Sequence, residues 1–307
     1  MAIVAPMLTR QRILAAKAET TDGTAISLSA SDAAFNIYDA TMTPDWDVVP
    51  RPGQSSSDPL PAVSGGRRMN TGFSTFAHGK GSTGPPAWGL FLQACGFSLS
   101  TATYSLETGG TAYTSLSMAL FEDGRKRTCT GCVGSFSAEF IAGQPCRINW
   151  NFVGCYADGS TTALITPTYP TVIPPRFATA NAFQIASTSY RVASVTLSIN
   201  NELKLREDQT TSGYRSGVVV HRDVRWTVDP ESATAKDFYN DMRDHTEADI
   251  TLVLGGVTYN KVTFNSPKCQ IVSAAPSDRD GLLTDTLEFQ ANRNAAAGDD
   301  ALTIVFA

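Results

Sequence analysis

The chain has 307 residues, of which 42% are hydrophobic and only 17% charged, with a formal net charge of −5. That is enough apolar residue for a packed core and too little charge for overall disorder, and without a basic patch sequence-specific binding to a phosphate backbone is excluded as a working idea. No run approaches the roughly 18 apolar residues of a membrane span. Arg10 and Arg12 interrupt any signal-peptide core, so the expectation is a protein assembled in a reducing cytoplasm, with its six cysteines as thiols.

Ser, Thr, Gly and Ala dominate and turn residues punctuate the chain, which favours strands over helix bundles. Residues 1–35 read as an N-terminal arm, ending in the small and polar "ETTDGTAISLSASDAA". A first β domain is expected over 36–164. It opens with the strand-like "NIYDATMTPDWDVV" and a long Pro/Ser/Gly loop at 48–68, followed by "MNTGFSTFA". A short helix over Ala87–Cys95 comes next, then the strand "AYTSLSMALF", closed by Glu122-Asp123-Gly124. The clearest signal is the hairpin "VGSFSAEF", "AGQP", "CRINWNFVG". Phe136, Ala138 and Phe140 oppose Ser135, Ser137 and Glu139, and Ile148, Trp150 and Phe152 oppose Asn149 and Asn151, a period-2 pattern with one buried face.

"ITPTYPTVIPPRF" (165–177) holds four prolines and reads as an extended linker. The second β domain, 178–307, repeats the order: "YRVASVTLSINNELKL", a loop, "VVVHRDVRWTV", a helix, and two hairpins with "ALTIVFA" last. Its helix is expected to start at Asp229 or Ser232 with Pro230 in the first turn, and to carry Ala235, Phe238, Tyr239 and Met242 on one face. A hairpin is expected about Gly255-Gly256, and another about the turn 277–281. Residue identity between the halves is negligible, so the repeat is one of pattern, and a tandem duplication of fold stays open.

Two chemical motifs have competing readings. Gly79, Gly81 and Gly84 spell GxGxxG after a possible strand, Phe73–Ala77. A dinucleotide site needs an apolar strand before it and free helix N–H groups after it. Here the strand is polar, Pro85 and Pro86 remove donors, and Lys80 is followed by Gly81 instead of Ser or Thr, so the segment reads as a turn. Cys129 and Cys132 form CxxC, but Cys146 and Cys155 sit at the two ends of one strand instead of on a second knuckle, so packing thiols are preferred over zinc. His78, His221 and His245 stand in no catalytic pattern and no G-x-S-x-G occurs; neither enzyme activity nor a cofactor is expected. Trp88 and Trp150 read as core or interface anchors.

The stretch Lys17–Thr24 ("KAETTDGT"), the strand and Asp-bearing turn at Pro44–Val48, "PPAWGLFLQACGF", the hairpin "EDGRKRTCTGCVGSFSAEFIAGQPCRINWNFVGCY" and "RDGLLTDTLEFQANRNAAAGDDALTIVF" together resemble tail tube proteins of long-tailed, non-contractile bacteriophages. The Cys-rich wording of the hairpin departs from the family pattern and touches only packing. The resemblance implies a mainly β, sandwich- or barrel-type subunit with one short helix per half. It implies rings stacked into a tube around a tape-measure protein and closed by terminator and tip proteins, assembled in the host cytoplasm and carried in the virion tail. Double-stranded DNA would pass through. Duplicated halves would give a trimeric, pseudo-sixfold ring; single-domain subunits would give a hexamer. Strands with polar outward residues fit a lumen wall, with Ser135, Ser137, Glu139, Asn149, Asn151, Ser194, Thr196 and Ser198 as candidate lumen-facing positions. A decoration protein, a secretion-system tube, a zinc protein and a carbohydrate-binding sandwich are the competing readings; the last would want exposed aromatics on one face.

Overall fold

The computed structural model describes residues 7–8, 10–54, 57–109, 114–178, 182–234 and 236–307. Strand accounts for 58% of the chain and helix for 6%, which fixes the class as mainly β. In the first half the elements are β1 (Arg12–Ala18), β2 (Tyr38–Arg51), β3 (Leu60–Phe76), α1 (Leu90–Ala94), β4 (Phe97–Ser100), β5 (Thr103–Leu106), β6 (Leu116–Glu122), β7 (Arg125–Ile141) and β8 (Arg147–Thr161). The second half has β9 (Phe183–Ile185), β10 (Thr188–Ser189), β11 (Val192–Glu207), β12 (Tyr214–Pro230), α2 (Phe238–Arg243), β13 (Glu247–Leu254), β14 (Val262–Arg279), β15 (Leu282–Ala291) and β16 (Thr303–Phe306).

Hydrogen-bonded neighbours run in the order β10-β9-β13-β14-β15-β12-β11-β7-β8-β3-β2, with β6 and β1 branching from β7, and β16, β5 and β4 branching from β14. The strand order of the first half, β2-β3-β8-β7-β6-β1, recurs in the second as β11-β12-β15-β14-β13-β9. The two series meet where β11 pairs antiparallel with β7. β7 is shared along its length. Residues 125–132 pair with β6, with a bulge between Cys129 and Cys132, and 136–141 pair with β11. Two hairpins turn on two-residue loops with both φ positive, Asp123-Gly124 and Asp280-Gly281, the conformation that asks for Asp-Gly.

The period-2 pattern of β7 and β8 places Phe136, Ala138, Phe140, Ile148, Trp150 and Phe152 in the core. Across the join, Val195, Leu197 and Ile199 of β11 and Val224, Trp226 and Val228 of β12 continue the same buried layer. α1, preceded by a 3-10 turn at Ala87–Gly89, covers this layer: Phe91 lies 5.5 Å from Trp150 and 4.8 Å from Phe73, ring centre to ring centre. The Trp150 indole also donates to Thr75 Oγ1 at 2.9 Å, so its one polar atom is satisfied inside.

Three expectations are corrected in detail. Residues 12–18, inside the segment read as an arm, are β1, fully in register with β6 and burying Leu14, Ala15 and Ala16. Three consecutive buried residues leave no alternation to read. Much of the polar stretch 48–68 is hairpin instead of loop: Val48 faces Ser64, Val49 faces Val63 and Arg51 faces Leu60. Both faces of that extension are largely exposed, so hydrophobic patterning is absent there. Asp229 and Pro230 end β12 instead of starting a helix. The Asp229 carboxylate accepts from the backbone N–H groups of Ala193 and Ser194, at 2.9 and 2.8 Å, and Asp237 caps α2 by accepting from Tyr239 N. Phe238 is buried and Tyr239 exposed, while Ala235 lies outside the described residues.

Trp150 is 1% exposed and touches rings on four elements. Trp150→Ala is expected to lower stability by about 3–5 kcal/mol, read as a reduced denaturant midpoint at unchanged slope.

Candidate functional site

The face opposite the core is polar over seven neighbouring strands. Residues directly opposed on adjacent strands share a face, so the registers give rows across the sheet. One row reads Ser74, Asn149, Ser137, Ser198, Arg225, Gln290, from β3 through β8, β7, β11 and β12 to β15. The next reads Arg147, Glu139, Thr196, Thr227, Glu288. A third runs Thr41, Gly72, Asn151, Ser135, and Ser194 stands opposite Ile141 at the join. All eight residues named from the sequence therefore lie on one contiguous face. The partners that sequence reasoning missed, Thr41, Arg225, Thr227 and Glu288, reach the same face only through pairings remote in sequence.

Both guanidiniums in these rows are already engaged. Arg147 lies 2.5 Å from an Asp39 oxygen and donates to Ser74 Oγ at 3.0 Å. Arg225 lies 2.8 Å from Asp223 and 3.3 Å from Glu288. Glu139 accepts from Asn149 Nδ2 at 3.1 Å. In these rows the face is thus polar with each guanidinium beside a carboxylate, which weakens any counterion-releasing contact with an anionic polymer.

The face owes its geometry to the β7 bulge. Gly131, at φ +60°, turns the strand there, and a Cβ would fall 2.6 Å from Ser216 Cα. Buried Glu19 fastens it. Its carboxylate accepts from Gly131 N at 2.8 Å, Ser117 Oγ at 2.7 Å, Ser115 Oγ at 2.6 Å and Gly23 N at 2.7 Å. One side chain from the Lys17–Thr24 stretch therefore holds β6, β7 and its own loop together.

The GxGxxG segment docks instead of binding a phosphate. Gly79 N donates to Asn260 Oδ1 at 2.9 Å, and Gly81 N to Tyr259 O at 2.9 Å. A Cβ on Gly79 would meet Tyr259 O at 2.1 Å, which accounts for that glycine. The loop is a strut from β3 to the β13–β14 connection. His78 sits at its base, buried, with Nδ1 2.6 Å from Gly79 O. Burial pushes its pKa below the ordinary value, the Gly79 carbonyl opposing.

All six cysteines are buried thiols. Cys132 Sγ lies 3.0 Å from Cys129 Sγ. Burial raises Cys95, Cys132 and Cys146 well above the usual thiol range, and Cys155 and Cys269 to about 12. These are protonated packing groups at neutral pH. Among the described residues no cluster of three or more His, Cys, Asp or Glu is placed to hold a metal ion, and no helix is long and apolar enough to cross a membrane. Trp46 stands half-exposed beside Tyr156, their ring centres 5.5 Å apart, with the Arg67 guanidinium 5.6 Å from its ring centre.

Two outcomes follow from this geometry. Glu19→Ala strands buried donors on three elements and is expected to cost about 2–4 kcal/mol. Glu19→Gln keeps one of the two acceptor oxygens but turns an NH2 donor toward the other backbone N–H, so it recovers only part of that loss; thermal and chemical melts compare them. His78 is held neutral in the fold, so the unfolded chain takes up its proton first as pH falls. The preference of the fold for the neutral ring is fully expressed above the unfolded value of about 6.5 and is lost progressively as pH falls from there through the lower folded value. Melting across that range should therefore fall less steeply in His78→Gln than in the parent.

No curated protein matches the chain. The family described as phage tail tube protein matches residues 9–291, from before β1 to the end of β15. With nearly the whole fold inside that match, the chain belongs to the phage tail tube protein family, a structural component of the phage tail.

Proposed function

We propose that the chain is the non-enzymatic subunit of a tail tube, self-assembling into stacked rings whose channel conducts double-stranded DNA. The observation that carries this reading is the contiguous polar face with its guanidiniums already paired. Turned inward, that face makes a hydrated wall along which DNA slides without being gripped. Ser135, Ser137, Glu139, Asn149, Asn151, Ser194, Thr196 and Ser198 would then line the lumen.

The recurrence of one strand order supports a tandem of two tube-type units, the first 36–164 completed by β1 (12–18) and the second 178–307, joined by the extended segment 165–177. Three chains would then complete a pseudo-sixfold ring. In this reading the tube is laid down around a tape-measure protein in the host cytoplasm and capped by terminator and tip proteins. The exposed β2–β3 extension, with Val48, Val49, Leu60 and Val63 on its surface, is the natural bridge between successive rings.

Electron microscopy of purified protein across concentration tests the assembly: hollow, ring-striated tubes are expected, with three chains in each averaged ring. Six identical chains in a ring would overturn the tandem reading, and a surface-bound protein that never forms tubes would favour a decoration role. The lumen assignment has its own test. Ser137→Lys with Asn151→Lys should leave tube formation intact but slow DNA ejection from reconstituted virions, with the delay shrinking as salt rises. Unaltered ejection would place the face elsewhere.

A further inference from the structure

The chain contains one junction between its two strand series and leaves the two edges that would build another. Bulges fix the correspondence. Leu116 and Met118 of β6 face Cys132 and Cys129 of β7, and Ala248 and Ile250 of β13 face Cys269 and Ser266 of β14, the same two-against-three step. A second bulge aligns β2 with β11: Val48 faces Ser64 beyond it as Leu203 faces Val219. Met42 thus stands where Leu197 stands, with Thr41 and Thr43 in the places of Thr196 and Ser198. After the further bulge between Ile271 and Ser273, Ala274–Arg279 stand where Phe136–Ile141 stand.

At the internal junction, β11 fills the edge of β7 from Phe136 to Ile141. The matching edge of β14, beyond its pairing with β13 at Gln270, carries no strand among the described residues, and Val272–Asp278 are mostly exposed. Among the described residues β2 ends the sheet, paired only with β3. Arg67 and Arg222 occupy corresponding places, and each has a buried Nε without a partner. Arg67 lies under the β11–β12 tip, its backbone N–H donating to Ser212 O at 2.8 Å. Arg67 and the tip residues Ser212 and Tyr214 line a cleft of about 490 Å³. Arg222 lines one of about 410 Å³ with Glu107, Val220 and Asp299, where no such tip donates or accepts among the described residues.

We propose that β2 of one chain pairs antiparallel with the β14 edge of a second copy, head to tail, in the register of the internal junction: Thr41 opposite Ser277 and Thr43 opposite Ala275. The β2–β3 hairpin of the incoming copy then reaches the cleft beside Arg222 as the β11–β12 tip reaches that beside Arg67. An exposed strand edge is a template for such addition. On β2 the Ala40 and Met42 carbonyls already accept from the Arg12 and Arg127 guanidiniums, at 3.2 and 2.6 Å, so the incoming edge shares or displaces those bonds. Pro44 and Pro276 each withdraw one donor from these edges, which blunts indiscriminate pairing and favours a single register. The contact is heterologous, so it propagates until it closes. With two equivalent junctions per chain, the pseudo-sixfold ring of the reading above closes at three chains. This inference rests on the ring-forming reading above and adds its edges and register.

The test uses the full chain with Thr41→Cys and Ser277→Cys together, assembled into tubes and then gently oxidised; the native thiols are all buried. Loss of the monomer band into covalent species ending at three chains is expected on a non-reducing gel. The single variants and the distant pair Thr41→Cys with Gln290→Cys should stay monomeric. Thr43→Cys with Ala275→Cys repeats the measurement should the first pair perturb folding. Tubes that form without either cross-link would overturn the edge assignment and leave the tube reading standing. A covalent ladder running past three chains would overturn closure, and soluble, folded protein that never assembles would overturn the tube reading itself.

Discussion

The architecture depends on one strand changing partners. β7 pairs with β6 through the Gly131 bulge to Cys132 and with β11 from Phe136 on, so both strand series share a single backbone. A bulge twists and re-aims a strand, and it leaves donors without ladder partners. Glu19 removes that liability by taking the Gly131 N–H, and it ties the same carboxylate to two serines of the β6 side and to Gly23. A buried carboxylate with four donors and no cation in its shell is held by hydrogen bonds alone, which makes its position more directional than an ion pair would.

Packing then turns the shared strand into a continuous layer. Trp150 and Phe136 on one side of the join and Leu197 and Trp226 on the other are buried in one cluster. α1 presses Phe91 and Leu92 against it from the core side. Because the layer is closed on that side by large rings, the alternate residues of the same strands have only solvent to face. The polar rows are therefore a consequence of the aromatic core: period-2 geometry makes the second face wherever the first is fixed.

Legibility in the sequence followed burial contrast. β7 and β8 were readable because one face is fully buried and the other wet, which also exposed five of the eight face residues. β1 was hidden because Leu14, Ala15 and Ala16 are all buried, and the outer β2–β3 hairpin because Val48, Val49, Leu60 and Val63 are all exposed; neither extreme alternates. The second helix was placed too early because Asp-Pro signals a helix start only when the carboxylate turns to its own chain direction, and Asp229 turns to β11 instead. The far side of the polar face was invisible for a different reason. Arg225 and Glu288 join Glu139 only through the β7–β11–β12–β15 registers, and long-range register leaves no local mark.

The electrostatics of that face carry the functional argument furthest. A repeated wall multiplies whatever each subunit presents, so a single unpaired arginine per unit would become a dense column of phosphate contacts, each releasing counterions and each adding to the salt-dependent grip. Arg147 and Arg225 would be such residues. Placed beside Asp39, and beside Asp223 and Glu288, they spend their charge within the sheet. Their stems still cover neighbouring strands and their forks still fix cross-strand register. The arrangement separates two properties of arginine, keeping the geometric one and cancelling much of the electrostatic one, and that separation is what the proposed lumen wall would require.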